Sequence, residues 1–494
     1  MPHITQDILE RFANLSKDYN PAHLDSAFAK DSYFGEQVIY GIYQVFFALE
    51  HHCAKKNTKQ ILQSLSATFL KPIGITSHFS LKLLASTRES IKGRIIEGGG
   101  RYNAPNQKAI WHQKTYGIIV KGELMSTIEC RFLDSAKIWD MRVATKRAQK
   151  SPATFATTQD QTHLESSAYD NSDLKALFPA CAERLDYLSI GILLASTRIV
   201  GMKIPGLHSI YSSIFWKREE ALESLLDSAI KTNNKPLPIV YTYKTHNLLH
   251  LVTITLHSPI KATIKAFERP QKLPNESLAE LARYTALKAQ PFARQKALVV
   301  GAGSGFGNVC AKLLALGGAQ VLATTLNTAF DTPMPNITTL PYDVLKPASS
   351  VLKALQAFAP THLYYFATPK IKAYEGKLNK SSLSMYLEYY LFGLDTILHA
   401  LSQNKPSVFE PSSCFVEELP LEMKEYSIAK SALETYLRII AKQYQIPIAT
   451  PRLPKSATNQ TLSILPSKLE QPSRILLDEL LRFATQNSTQ EKQC

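Results

Sequence analysis

A chain of 494 residues exceeds one ordinary hydrophobic core, so roughly two to four domains are expected. Hydrophobic residues make up 45% and charged residues 20%, a soluble globular balance with no apolar run long enough to span a bilayer. The net charge of +15 fits either plain solubility or attraction of an acidic or phosphate-bearing partner; no nucleic-acid motif accompanies it, and the lysines form no single stripe.

The opening MPHITQDILERF places acidic residues where a secretory signal needs a basic and then an apolar run, so a cytoplasmic location is expected. The six cysteines (Cys53, Cys130, Cys181, Cys310, Cys414 and Cys494) show no C-x-x-C spacing, which argues against disulfides and a zinc site. After a helical start comes an apolar helix, VIYGIYQVFFALEHH. Strand-like runs follow in order: SHFSLKLLAST, IKGRIIEGG, KAIWHQKTYGIIVKG and STIECRFLD. This gives a first domain over 1–142. A polar stretch over 143–172 reads as a linker. Over 173–270 the same order returns: the apolar helix LDYLSIGILLASTRIVGM, then IVYTYKTHNLLHLVTITL and IKATIKAFERP. The two halves read as a divergent repeat, helix first and antiparallel sheet after. A connector with a short helix spans 271–294. From 295 to 494 the texture becomes βα alternation, with KALVV, AQVLATT, a DV-containing loop, THLYYFAT and PSVFEPSS, as in a doubly wound parallel sheet.

Within residues 12–49 lies the run Asp18-x-Asn20-Pro21-x-His23-x-Asp25, followed by Phe34-Gly35 and Gly41 before the apolar helix. Asp18 and Asn20 would serve equally as turn residues, with His23 a satisfied surface group. As a site, a carboxylate and an imidazole on one loop suit the removal of one proton and the delivery of another. The stretch resembles the MaoC-like (R)-specific enoyl hydratase/dehydratase family. That resemblance implies a hot-dog fold, Asp18 and His23 as the catalytic pair, and backbone N–H groups near Gly41 facing a thioester oxygen. The sequence departs from the family at Tyr40, where a histidine is common, and at Leu49, where bacterial hydratases carry a hydroxyl. The second copy lacks the run. It is expected to wall an acyl tunnel, with Asp186, His208 and Ser209 as candidate catalytic remnants.

In the last domain, Gly301, Gly305 and Gly307 have G-x-x-x-G-x-G spacing between a strand and a helix. Glycines there allow a tight turn and close approach of backbone to a pyrophosphate, and the helix N-terminus supplies N–H donors. Thr324 and Thr325 end the second strand without a carboxylate to repel a 2′-phosphate, which favours NADP and leaves NAD open. Ser413 lies thirteen residues before Tyr426, and Lys430 follows one helical turn later. Residues 295–465 resemble the short-chain dehydrogenase/reductase family through VGAGSGFG, Asp343, Ser413 and the Tyr426–Lys430 pair. The resemblance implies a Rossmann fold, with Tyr426 as acid, Lys430 lowering its pKa and holding the nicotinamide ribose, Ser413 on the substrate oxygen and Asp343 on the adenine amine. The cofactor would lie against Gly301, Ser304, Gly305, Phe306, Gly307 and Thr325. Three positions depart from the family: Phe366-Ala367-Thr368-Pro369 replaces Asn-Asn-Ala-Gly, Tyr390 aligns with the relay asparagine, and Pro454-Lys455 replaces Pro-Gly.

The expected architecture is an α+β double hot dog followed by an α/β Rossmann domain. The expected function is bifunctional: NADP-dependent reduction of a 3-oxoacyl thioester, and dehydration of the 3-hydroxyacyl product or the reverse hydration. The carrier would be acyl carrier protein or coenzyme A, and a homodimer is open. The competing expectations are a non-catalytic acyl- or nucleotide-binding assembly subunit, and a reductase acting on another small ketone.

Overall fold

The structure, a computed structural model, describes residues 4–56, 60–92, 108–134, 162–218, 236–258, 260–326, 328–374, 376–463 and 468–490. The chain divides into one unit of Met1–Gln271 with Ile464–Pro466 and another of Lys272–Ser463 with Ser467–Cys494.

In the first unit, Thr5 caps α1 (Gln6–Ser16), which buries Leu9, Phe12, Ala13 and Leu15 on one face. Lys17 ends it with φ 60°. Two short helices follow, α2 (Pro21–Leu24) and α3 (Ser26–Asp31). Then comes α4 (Gly41–Cys53), apolar on most sides and therefore central. Strands β1 (Gln60–Phe69), β2 (Phe79–Lys92), β3 (Lys108–Val120) and β4 (Glu123–Asp134) complete the first half. The second half runs β5 (His163–Ser166), α5 (Asn171–Leu177), α6 (Pro179–Arg184), the buried α7 (Tyr187–Arg198), and then β6 (Ser209–Lys217), β7 (Pro238–His246), β8 (Leu251–Ser258) and β9 (Ala262–Glu268).

Strands β1 to β9, those among the described residues of this unit, form one sheet in the order β2-β3-β4-β1-β6-β9-β8-β7-β5. Outward from the antiparallel β1/β6 seam, the strands read β1-β4-β3-β2 on one side and β6-β9-β8-β7 on the other. The two halves thus repeat one connectivity. Leu65 faces Trp216 and Ala67 faces Ile214 across the seam. Helices α4 and α7 share a single apolar core with it.

Several expectations need adjustment. The expected linker does not extend to 172: His163–Ser166 pairs with β7 and helix α5 begins at Asn171, while 143–161 lie outside the described residues. Of IKGRIIEGG, Ile91 and Lys92 continue β2, and the remainder lies outside the described residues. The run IVYTYKTHNLLHLVTITL is a hairpin, turned at Asn247–Leu249 with His250 at φ 48°. Strand β6 was not foreseen, because its alternation is only half-buried.

The second unit begins with α8 (Leu278–Leu281), closed by a capping box between Ser277 and Glu280. Strand β10 (Lys296–Val300) leads into α9 (Gly305–Leu316), β11 (Gln320–Thr325), β12 (Ile337–Pro341), α10 (Ser349–Phe358) and β13 (His362–Tyr365). Next come α11 (Lys380–Leu387), a π-turn at Glu388–Phe392, α12 (Gly393–Ala400), β14 (Ser407–Phe409), β15 (Ser412–Ser413) and α13 (Phe415–Glu418). Last are α14 (Lys424–Tyr444), β16 (Ile448–Ala449), β17 (Arg452–Leu453) and α15 (Pro472–Gln490). The six-stranded sheet has the order β12-β11-β10-β13-β14-β16, parallel throughout. This is the 3-2-1-4-5-6 order of a doubly wound sheet, whose ligand crevice lies where β10 meets β13. VFEPSS is not one strand. Pro411, with no N–H, separates β14 from β15, and Ser412–Ser413 pair instead with β17.

Candidate functional sites

In the first unit the D-x-N-P-x-H-x-D run divides its labour. Asn20 caps α2 by accepting from the Ala22 N–H at 3.0 Å, with Pro21 at the first helical position. Asp25 caps α3 by accepting from Ala27 and Phe28. The turn reading of Asp18 and Asn20 holds for both: Asn20 caps α2, and Asp18 Oδ1 accepts from the Asn20 N–H two residues on. His23 is half-buried rather than a surface group.

Asp18 is 2% exposed. Its Oδ1 accepts from the Asn20 N–H at 3.2 Å, and its Oδ2 from the Thr197 hydroxyl at 2.7 Å. Burial pushes its carboxyl up to about 6, against the hydrogen bonds of Thr197 and Asn20 and the charge of Arg198. His23 Nδ1 lies 2.7 Å from the Val38 carbonyl. A carbonyl only accepts, so Nδ1 carries the proton of the neutral ring and Nε2 keeps its lone pair. Burial lowers this imidazole to about 4, helped by the Arg269 charge. Tyr40 joins the two residues: its ring stacks on His23 at 3.7 Å, and its hydroxyl donates to the Asp18 carbonyl at 2.7 Å. It thus holds the loop together where the family often has histidine. Gly41, opening α4, sits under the Phe69 ring, which would lie 2.9 Å from an added Cβ. Leu49 is fully buried in the core.

Asp186 is not a free catalytic remnant. It caps α7 through Ser189, accepts from the Leu62 N–H and pairs with Arg218 at 2.5 Å. His208 offers its carbonyl to the Arg269 N–H, and Ser209 opens β6.

In the second unit, Gly301 takes φ 84°, and an added Cβ would lie 2.8 Å from Ala367 N and Phe366 C. Phe366 and Ala367 therefore pack against the Gly-rich turn. A Cβ on Gly307 would lie 2.3 Å from the Gly301 carbonyl oxygen, so helix and strand meet closely. The Gly305 N–H is taken by Asn275 Oδ1 at 3.2 Å. Those of Phe306 and Gly307 meet no acceptor among the described residues, and Ser304 is the N-cap without a side-chain cap bond. Thr324 is buried and its carbonyl accepts from Ala302, which leaves Thr325 at the strand end. Asp343 Oδ1 accepts from the Leu345 N–H at 2.9 Å, with its second oxygen uncommitted to that turn. These residues fit a dinucleotide: close-approach glycines, open N–H donors and no carboxylate at the end of β11.

Ser413 and Tyr426 meet through Phe415. The Phe415 N–H donates to Ser413 Oγ at 3.3 Å, and its ring stands 6.1 Å from Tyr426, edge-on at 87°. Tyr386 and Tyr390 complete an aromatic surround at 5.8 Å and 6.0 Å. Tyr390 lies in the π-turn, and its hydroxyl pairs with Thr368 Oγ1 at 2.7 Å. Lys455 stands over the Phe415 ring at 5.0 Å. Lys430 is 6% exposed, and its Nζ donates to Glu410 Oε1 at 3.1 Å and the Pro411 carbonyl at 2.9 Å, 4.1 Å above the Tyr390 ring. Glu410 is 1% exposed, with Oε2 buried and unpaired among the described residues. Burial raises its carboxyl to about 7 despite Lys430.

Sequence reasoning missed Glu410 and Thr197. A lone carboxylate between an apolar strand and a proline was a signal for Glu410; nothing local marked Thr197.

Residues 2–104 match the family described as MaoC like domain, so the chain carries a MaoC-like domain at its N-terminus. No curated protein matches the chain. Among solved structures, an Escherichia coli oxidoreductase is similar at 18% identity and TM-score 0.34, covering 39% of this chain and 91% of its own. A putative short chain dehydrogenase from Escherichia coli CFT073, complexed with NADPH, is similar at 16% identity and TM-score 0.35, covering 40% and 92%. A putative betaketoacyl-ACP reductase is similar at 17% identity and TM-score 0.32, covering 38% and 90%.

Proposed function

We propose that this chain is a bifunctional acyl-thioester enzyme that reduces a 3-oxoacyl thioester and dehydrates the 3-hydroxyacyl product, or runs either step in reverse. The first unit is then a double hot dog, supported by the repeated strand connectivity about the β1/β6 seam. What carries the dehydratase assignment is the Asp18/His23 pair, one carboxyl near 6 and one neutral imidazole, both held by Tyr40. In dehydration, His23 Nε2 takes the α-proton and protonated Asp18 gives its proton to the departing hydroxyl. The α C–H and β C–O bonds break, the C=C bond forms, and water leaves. Hydration reverses each transfer.

In the second unit, a bound reduced nicotinamide dinucleotide, NADP being favoured by the absence of a carboxylate beside Thr325, supplies the hydride. Gly301, Phe306 and Gly307 bind the pyrophosphate by close backbone approach, and Asp343 holds the adenine end. Ser413 orients the substrate carbonyl oxygen, and Tyr426 gives it a proton. Lys430 favours the phenolate left behind. The basic surface suits acyl carrier protein or the phosphates of coenzyme A, each acidic.

The test is NADPH consumption with 3-oxoacyl thioesters of increasing length, with mass analysis of products. Reduction by wild type and His23→Ala but not Tyr426→Phe, with water lost only when His23 is present, supports both sites. One observation favours a second reading: Glu410 already holds the Lys430 ammonium, as in a unit that binds nucleotide without turnover. Protection against unfolding by NADPH, with no consumption, would select it.

A further inference from the structure

We infer that the second copy's helix acts on the first copy's carboxylate: Thr197 is a positioning residue for Asp18, and the helix end beyond it is shaped to receive the Asp18 loop. Thr197 stands in the last turn of α7 and donates to Asp18 Oδ2 at 2.7 Å. One turn on, Gly201 lies so close that an added Cβ would fall 2.2 Å from Asp18 Oδ1. The Asn20 amide donates to three carbonyls of the same region: Gly201 at 3.3 Å, Gly206 at 3.4 Å and Leu207 at 3.3 Å. Arg198 Nη1 donates to the Ser16 carbonyl at 3.2 Å, while its Nη2 pairs with Glu165 Oε1 at 3.1 Å. The loop thus takes its shape from a helix far away in sequence.

The physical need is specific. A carboxylate this buried favours its neutral form unless donors stabilise the anion. The Asn20 N–H and the Thr197 hydroxyl are the donors to its two oxygens, one per oxygen, which also fixes the carboxyl plane. The second copy lacks the D-x-N-P-x-H run, yet it contributes to the site by orienting Asp18 and keeping it ionisable near neutrality. This gives it a role beyond walling a tunnel. The catalytic meaning rests on the dehydratase reading above; the positioning does not.

The experiment uses the full chain labelled with carboxyl-¹³C aspartate, with the Asp18 resonance assigned from Asp18→Asn. Thr197→Val is near-isosteric and removes the donor; Thr197→Ser restores it. The Asp18 titration midpoint should rise by about one pH unit in Thr197→Val and return in Thr197→Ser. In parallel, hydration of a trans-2-enoyl thioester should show a lower kcat in Thr197→Val at near-constant KM. The acidic limb of its pH profile should move up by the same amount. An unchanged midpoint in Thr197→Val overturns the inference, whatever the activity. A shifted midpoint in a protein that hydrates no enoyl thioester upholds the positioning and rejects the dehydratase reading instead.

Discussion

Lys430 Nζ lies 3.1 Å from Glu410 Oε1, so the lysine beside Tyr426 comes with its own buried counter-charge. Glu410 lies at the end of β14 and Lys430 on the second turn of α14, and Pro411 contributes a carbonyl to the same ammonium at 2.9 Å. When Glu410 is ionised, the field that would favour a Tyr426 phenolate is partly cancelled.

Glu410→Gln keeps an acceptor for Lys430 and removes the negative charge. Reductase turnover above about pH 7 should rise in this variant, by up to about tenfold, because the Lys430 charge is no longer offset. Below that pH, where Glu410 is largely protonated, variant and wild type should converge. NADPH oxidation followed from pH 6 to 9 checks this. Superimposable profiles would show that Glu410 is only structural.

Asp18→Asn should separate stability from activity. Burial lifts the folded value of Asp18 to about 6 from the ordinary 3.8. The folded chain therefore binds this proton more tightly than the unfolded chain. That contribution to stability is complete below 3.8 and lost as pH rises through about 6. Asparagine avoids the loss. At about pH 8 the first unit should unfold at a urea concentration equal to or above that of wild type, while hydration falls by about a hundredfold or more. A clear drop in the urea midpoint at that pH would mean the ionised carboxylate is net stabilising.

Two histidines whose pKa values are lowered should make the first unit acid-sensitive. His23 is lowered to about 4 and His52, stacked at 3.8 Å on Phe132, to about 3, both chiefly by burial. Groups lowered in this way stabilise the fold above the ordinary 6.5, and that stability is lost as pH falls toward the folded values. Urea midpoints should therefore fall below pH 6.5 with a slope approaching about one proton per histidine. Asp18 acts in the opposite sense, so the comparison with His52→Gln isolates that histidine's contribution. The same slope in that variant would exclude His52 as a contributor.

Gly307→Ala tests the cradle. The new Cβ would meet the Gly301 carbonyl oxygen at 2.3 Å, forcing α9 away from β10. We expect dinucleotide affinity to fall at least about tenfold and the second unit to lose about 1–3 kcal/mol. NADPH fluorescence titration and thermal unfolding read the two effects. Wild-type affinity would place the pyrophosphate elsewhere.

Much of the fold was legible because its signals are local. The apolar helices α4 and α7, the alternating strands and the Gly-rich turn each follow from side-chain periodicity or from a backbone angle that favours glycine. The capping roles of Asn20 and Asp25 are local too, and so is the one-turn spacing of Tyr426 and Lys430. Strand β12 escaped notice because ITTLP is short and half-exposed. The break at Pro411 was written in the sequence, since a residue without an N–H cannot hold the ladder.

The order of residues is enough to show which types stand ready: a carboxylate and an imidazole on one loop, a tyrosine and a lysine on one helix, and glycines after a strand. What holds them comes from folding. The Thr197 hydroxyl reaches Asp18 from 179 residues away, and Glu410 reaches Lys430 across 20. Burial then sets Asp18 near 6 and His23 near 4. Desolvation and hydrogen bonding depend on what surrounds a group in space, and no spacing along the chain records that.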